Sequence, residues 1–165
     1  MNYEMRQMLP QDGARVLEIF KQGMEGGNAT FDTTIPTWEV WDMKFHKVCR
    51  WVLEDENEKI VGWAALQPIS ARDCYKGVAE ESIYLDNEVQ GKGLGTLLLR
   101  KLILDSEDHG FWTLQAGIFP ENQGSIALHQ KLGFRIVGHR EKIGQINGIW
   151  RNVTLMERRS KLVGN

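Results

Sequence analysis

The chain has 165 residues, 42% hydrophobic and 25% charged, the composition of a soluble globular protein long enough to bury a substantial core. Lys and Arg number 20 against 22 Asp and Glu, a formal net charge of -2, which argues against a protein that grips nucleic-acid phosphates through a basic surface. Two cysteines, Cys49 and Cys74, are too few for a disulfide framework, no apolar signal core precedes Pro10, and the longest apolar runs fall short of a membrane span. These features predict one cytoplasmic domain over residues 1–165, without a nucleic-acid or membrane partner.

Taken in chain order, Tyr3 to Met8 reads as a first strand. Pro10-Gln11-Asp12 opens a helix with the apolar stripe Ala14, Leu17, Ile19 and Phe20, which Gly26-Gly27-Asn28 ends. A polar loop, Thr30 to Pro36, leads to a second helix over Trp38 to Val48, with Trp41 and Phe45 on one face. Two β-like runs, Arg50 to Glu54 and Ile60 to Leu66, flank an acidic turn and predict a hairpin. Val78 to Leu85 is a long strand. Leu94 to Asp105 is a helix on which Leu97, Leu98, Leu102 and Ile103 recur at helical spacing. Trp112 to Ile118 reads as a strand, Ser125 to Leu132 as a helix stopped by Gly133, and Phe134 to Val137 and Asn152 to Glu157 as the last strands. The order β-α-α-β-β-β-α-β-α-β-β predicts an α+β fold, with helices flanking one mixed sheet.

Between the strand ending at Leu85 and the helix starting near Leu94 lies Gln90-Gly91-Lys92-Gly93-Leu94-Gly95. Three glycines at alternate positions leave backbone N–H groups uncovered at a helix N-terminus, where a pyrophosphate is favoured and Lys92 adds charge. Read alone, the same stretch is equally a flexible strand-to-helix turn. A dinucleotide fingerprint would need glycine at Thr96, and a P-loop would need Ser or Thr at Gly93, so neither fits.

The pattern resembles the Gln/Arg-x-x-Gly-x-Gly/Ala signature of the GNAT N-acetyltransferase superfamily, in the same strand–loop–helix context. Asn122-x-x-Ser125-x-x-x-His129-x-x-x-Gly133-Phe134 resembles that family's later cofactor-contacting segment. The resemblance implies a central, mostly antiparallel twisted sheet with a splayed strand pair at an acetyl-CoA site. It assigns the pantetheine to Ile83, Tyr84 and Leu85 and the phosphates to Gln90, Gly91, Lys92, Gly93, Leu94, Gly95 and Thr96. Asn122, Ser125 and His129 complete the implied coenzyme contacts.

A narrower resemblance covers most of the chain. Ala29-Thr30-Phe31-Asp32-Thr33, Arg72-x-x-Tyr75, Ala79-Glu80-x-Ser82-Ile83-Tyr84 and Gly144-x-x-x-Gly148-x-Trp150-x-Asn152 look like the phosphinothricin and methionine sulfoximine acetyltransferases. This implies an acetyl-CoA-dependent transferase acting on a small amino-acid-like amine, with Thr30, Phe31, Arg72, Tyr75 and Glu80 on the substrate side and a homodimeric assembly. An amine must lose a proton before it attacks a thioester, and Glu80 stands where such relatives place a carboxylate base. Strand alternation puts Glu80, Ser82 and Tyr84 on one face, with Glu81, Ile83 and Leu85 on the other.

Several residues keep a plain structural alternative. Glu80 alone reads as an exposed strand carboxylate, Arg72 as either a solvated loop arginine or a fork for a substrate carboxylate, and His129 as a proton shuttle, pocket lining or helix packing. Tyr84 reads as packing, with its backbone at the coenzyme. Gln145-Ile146 and Asn152 depart from the narrower group's pattern, so the acceptor is open to a peptide N-terminus or polyamine, and a non-catalytic acyl-CoA-binding module is the reading from another class. His46 and Cys49 have a local ligand spacing, but no second pair accompanies them, so no metal is expected.

Overall fold

Seven segments pair as strands, the central Ile60–Leu66 run being buried on both faces, and the amphipathic runs between them pack on both sides of the sheet. In the computed structural model, which describes residues 2–165, β1 (Glu4–Gln7) is followed by a 3-10 turn at Pro10–Asp12, α1 (Gly13–Glu25) and α2 (Trp38–Lys44). Next come β2 (Trp51–Glu54), β3 (Ile60–Pro68), β4 (Val78–Leu85), α3 (Leu94–Asp108), β5 (Thr113–Ile118), α4 (Gln123–Lys131), β6 (Arg135–Ile146) and β7 (Ile149–Arg159). The strands form one sheet in the order β1-β2-β3-β4-β5-β7-β6. All neighbours run antiparallel except β4 and β5, which are parallel. The mixed α+β architecture expected from the element order is the one observed.

Each face of the sheet has its own core. On one, α3 buries Leu98, Leu99 and Leu102 against Val61, Ala64, Leu114 and Met156. On the other, α1 and α2 pack Val16, Ile19, Phe20, Trp41 and Phe45 over Val52 and Trp63. Trp63 stacks on Tyr84 at 4.9 Å between centroids and meets Trp41 edge-on at 5.4 Å. Large aromatic rings such as these dominate a core of this size.

Local readings are corrected at several points. The buried face of α1 is Gly13, Val16, Ile19 and Phe20, with Leu17 half-buried against the same core, so only Ala14 of the expected stripe is displaced; spacings of three and four from Val16 define the helix face. On α3, Leu97 is largely exposed and Leu99 takes its place in the core. α2 ends at Lys44, four residues early. Arg50 donates hydrogen bonds to the carbonyls of Asp42 and Phe45, each at 2.9 Å, and His46 N–H is claimed by the Leu66 carbonyl of β3 at 2.8 Å. Those bonds terminate the helix.

The largest correction concerns the last two strands. β6 and β7 run 12 and 11 residues and join through Asn147 (φ 49°) and Gly148 (φ 81°), with Ile146 facing Ile149 across the turn. An Asn-Gly pair with both φ angles positive is the hairpin turn that matches strand twist.

One buried ion pair fixes α1 to the functional side of the sheet. Asp86 follows β4 directly and accepts a charge-assisted hydrogen bond from Arg15, another from the Glu88 N–H at 2.8 Å and one from Gln22 Nε2 at 3.3 Å. Burial raises the Asp86 carboxyl, but these donors together hold it below the usual carboxylate range. Gln22 also accepts from Asn87 N–H at 2.8 Å, so α1 grips both residues that lead into the glycine turn. Asp86→Asn is expected to destabilise the fold by about 3 kcal/mol in urea denaturation, because it leaves Arg15 without its buried counter-charge. A change under about 0.5 kcal/mol, the size typical of a surface substitution, would refute that role.

Candidate active site

β4 and β5 are hydrogen-bonded only over Val78–Glu80 and Thr113–Gln115. Beyond Glu80, β4 continues along β3 to Leu85, whereas β5 continues along β7 to Ile118. The two strands therefore part, and the inner edge of β4 from Glu81 onward has no strand to pair with among the described residues. A cavity of about 740 Å³ opens in the parting. Its walls include Glu80 to Leu85 of β4, Gln115 to Ile118 of β5, the aromatic cluster Phe20, Trp41, Phe45 and Trp63, and Ser125 and His129 of α4. Unpaired peptide groups along one strand edge form a template for a ligand that carries amides of its own.

Glu80 lines this cavity on the aromatic side. Gln115 Nε2 donates to Glu80 Oε2 at 3.1 Å, which sets the carboxylate's direction at the last paired rung. Gln115 escaped the sequence reading because its importance comes from being parallel register partner to Glu80.

The opposite face carries a second, unexpected carboxylate. Glu81 is buried and accepts a hydrogen bond from His129 Nε2, while His129 Nδ1 donates to the Ser125 carbonyl at 2.6 Å. Burial lowers the His129 pKa, but the Glu81 charge, its hydrogen bond and the Ser125 carbonyl outweigh it, so the pKa is raised overall. The imidazole edge also packs on Phe134. His129 is thus both cavity wall and half of a buried pair, and only Ser125, one helical turn earlier, hinted at its setting.

At the far end, the glycine turn has the expected form. Gly91 (φ 79°) and Gly93 (φ 76°) are left-handed, and no atom lies within 4 Å of a Cβ placed on either. Gly93 is the N-cap of α3, so free N–H groups of the first turn face an uncovered approach. Lys92 is exposed beside them, whereas the Leu94 side chain is buried in the core and offers only its backbone. Gln90 and Gly95 line the cavity, Gln90 bonds Asn87 at 3.2 Å, and Thr96 is half-buried in the first turn of α3. Asn122 caps α4 by accepting from Ser125 N–H at 3.2 Å.

Ile83 and Leu85 lean toward the α3 core, while Tyr84 stacks under Trp63 and against Phe20. Burial pushes the Tyr84 phenol up, partly offset by a hydrogen bond with Thr30, so it stays neutral and acts in packing. Thr30 and Phe31 both line the cavity. Phe31 meets Phe119 edge-on at 4.9 Å, and a side chain at Gly144 would come within 2.8 Å of its ring. The loop is anchored from β7: Arg151 donates to the Gly27 carbonyl at 2.9 Å and Asn28 Oδ1 at 2.7 Å while lying over Phe119. No local pattern pointed to that anchor, which spans more than 120 residues of chain.

Arg72 and Tyr75 depart from expectation. Both are exposed, the guanidinium lies over the Tyr75 ring at 5.4 Å, and neither lines the cavity. The 3-10 turn at Asp73–Tyr75 keeps them on the surface before β4 begins. The cationic side chains that do line the cavity are Lys44 and Arg140, besides His129. Lys44 lies one turn beyond Trp41 on α2, which is the only sequence signal it had.

The parted strands, the glycine turn and the carboxylate at the last rung are the features of an acetyltransferase cleft. The chain belongs to the acetyltransferase (GNAT) family, whose model matches residues 14–134. Among its relatives, the L-amino acid N-acyltransferase MnaT of Escherichia coli is 35% identical over 106 residues, 64% of this chain and 62% of that protein. The L-methionine sulfoximine/L-methionine sulfone acetyltransferase of Pseudomonas aeruginosa is 34% identical over the same shares. The matched segment thus spans about three-fifths of each of these relatives. A solved structure of a GNAT superfamily phosphinothricin acetyltransferase from Sinorhizobium meliloti, in complex with AcCoA, superimposes with a TM-score of 0.88 at 30% identity, over 96% of this chain and 89% of that one. No helix among the described residues is long and apolar enough to cross a membrane.

The Glu81–His129 pair has a pH signature. A histidine whose folded pKa is raised contributes stability fully below its unfolded value of about 6.5 and loses it as pH climbs through the folded value. Urea denaturation between pH 6 and 9 is therefore expected to show the wild type losing stability relative to Glu81→Gln as pH rises. A difference that is constant with pH would show that Glu81 does not raise the His129 pKa.

Proposed function

We propose that this chain is an acetyl-CoA-dependent N-acetyltransferase whose acceptor is the amine of a small amino-acid-like molecule of the phosphinothricin or methionine sulfoximine/sulfone type. The observation that carries the reading is the parting of β4 from β5 at Glu80, which exposes a strand edge and a carboxylate to one cavity. The glycine turn fits a coenzyme pyrophosphate, since uncovered backbone at Gly91 and Gly93 meets the N-terminus of α3. Acetyl-CoA supplies the thioester carbonyl that the amine attacks.

The chain's own residues then account for the transfer. N–H groups of the first α3 turn, with Lys92, bind the phosphates. The free edge of Ile83 to Leu85 aligns the pantetheine, and one of its N–H groups faces the developing oxyanion. Glu80, held by Gln115, takes the proton from the incoming ammonium, directly or through a water. The amine adds to the carbonyl to give the tetrahedral oxyanion; as this collapses the C–S bond breaks, and the sulfur leaves as the thiol with the proton that the new amide nitrogen gives up. No side chain needs to carry the acetyl group.

Acceptor selection falls to the aromatic wall and to Lys44 and Arg140, whose charges suit an acidic group on the acceptor. The cavity is walled by side chains on every element around the parting, which suits a small acceptor better than a polypeptide segment. The named relatives support this reading, as they act on L-amino acids and methionine sulfoximine or sulfone.

Glu80→Gln is expected to lower kcat by about 10²- to 10⁴-fold with acetyl-CoA affinity unchanged. An unaffected rate would remove Glu80 from the mechanism. Gly93→Val, forcing a β-branched residue to a φ of 76°, is expected to weaken acetyl-CoA binding about tenfold or more in calorimetric titration. Unchanged affinity would place the phosphates elsewhere. An acetyl-CoA consumption screen over methionine sulfoximine, methionine sulfone, phosphinothricin, ordinary amino acids and polyamines should show turnover with the first group. Tight coenzyme binding without turnover on any acceptor would indicate a non-catalytic binding module.

A further inference from the structure

The sequence predicted no metal because His46 and Cys49 stood alone. The fold separates those two and supplies Cys49 with other neighbours. His46 packs edge-on against Phe111 at 5.1 Å. The Cys49 thiol instead meets the C-terminal end of α3, where Asp105 and His109 lie one helical turn apart. Cys49 Sγ is 3.7 Å from His109 Nδ1, and His109 Nδ1 is 3.2 Å from Asp105 Oδ1, with one ligand atom from each of the three lying within 4.8 Å of the others.

We propose that Cys49, Asp105 and His109 form a site for a divalent transition metal, zinc being the class best matched by its ligands. Tetrahedral zinc with sulfur at about 2.3 Å and nitrogen or oxygen at about 2.0–2.2 Å has ligand-to-ligand edges of about 3.3–3.6 Å, close to the two distances found. One thiolate, one imidazole and one carboxylate are a borderline-soft set that disfavours magnesium and calcium.

Three further observations point the same way. A separate cavity of about 120 Å³ lies over the cluster, lined by Cys49, Asp105 and His109 and leaving room for a fourth, water ligand. Trp51 Nε1 donates to Asp105 Oδ2 at 2.8 Å, which turns Oδ1 toward the histidine, as an outer-shell partner orients a ligating carboxylate. Cys49 itself takes a φ of 60°, the left-handed region that a residue with a side chain seldom occupies.

The nearby cations do not block the site. Lys47 and Arg50 also line the small cavity, but both are paired with Asp42. His109 Nδ1 now lies 2.9 Å from the Asp105 carbonyl and must turn its lone pair to the metal. That carbonyl keeps the His109 backbone N–H as a donor at 3.1 Å. No residue of this cluster lines the acetyltransferase cavity, so the metal would act as a clip between the start of β2 and the end of α3, 60 residues apart.

The test is a cobalt titration of the tag-free full chain after treatment with a chelator. One equivalent of Co²⁺ is expected to raise a thiolate-to-cobalt charge-transfer band in the near ultraviolet, and Zn²⁺ is expected to displace it. Cys49→Ser should abolish the band, Cys74→Ser should retain it, and His109→Gln should weaken Co²⁺ binding by about tenfold or more. Absence of the band in the wild type, or its persistence in Cys49→Ser, overturns the proposal. Should Cys49→Ser fail to fold, His109→Gln decides, because His109 is exposed: unchanged cobalt affinity there overturns the proposal equally. Zinc is further expected to raise the melting temperature of the wild type and not of His109→Gln. Neither readout depends on acetyl transfer.

Discussion

The cleft in this molecule exists because one pair of parallel strands stops being a pair. β4 and β5 share three rungs, ending at Glu80 and Gln115, and then each follows its outer neighbour. A sheet that loses a ladder must satisfy the freed peptide groups in some other way. Here they face a cavity, which is why a ligand with its own amides is the natural partner. The same divergence delivers Glu80 to the cavity at its root and aims the end of β4 at the glycine turn.

The rest of the architecture keeps that opening in shape. α1 is bound through Arg15 and Gln22 to Asp86 and Asn87, so the approach to the glycine turn is held from the side. Arg151 of β7 reaches across to the 27–28 segment, and Phe31 closes over Gly144. On the far face, the Glu81–His129 pair joins β4 to α4 just where β5 no longer supports β4. Adjacent residues on one strand thus have different work. Glu80 lines the cavity on its aromatic side, while Glu81 is buried and raises the pKa of His129, a division that follows from the two-residue period of the strand.

Membership of the family was legible because its motifs are local. Gln90 to Thr96 and Asn122 to Gly133 each occupy a single turn or helix, and their spacing follows from the geometry of a helix N-terminus. Strand β4 was read with its bounds and faces correct, since the two-residue period of an extended chain sorts Glu80, Ser82 and Tyr84 from Glu81, Ile83 and Leu85 whatever their polarity. The register of α1, the early end of α2 and the length of the β6–β7 hairpin were not legible in the same way. Each is decided by a partner distant in sequence: the sheet for Val16, Arg50 and Leu66 for Lys44, and the mutual pairing of two strands for Ile146 and Ile149.

The amino-acid sequence by itself determined most of the elements, the family and the glycine-rich turn before α3, because these rest on short-range sterics and periodicity. Tertiary structure decided which side chains meet. It moved Arg72 and Tyr75 to the surface and brought Lys44 and Arg140 to the cavity instead. It gave His129 a buried carboxylate 48 residues away and gave Cys49 an aspartate and a histidine in place of its near neighbour His46. Such contacts depend on the angle between strands and the packing of helices on a sheet, and no local pattern of residues encodes either.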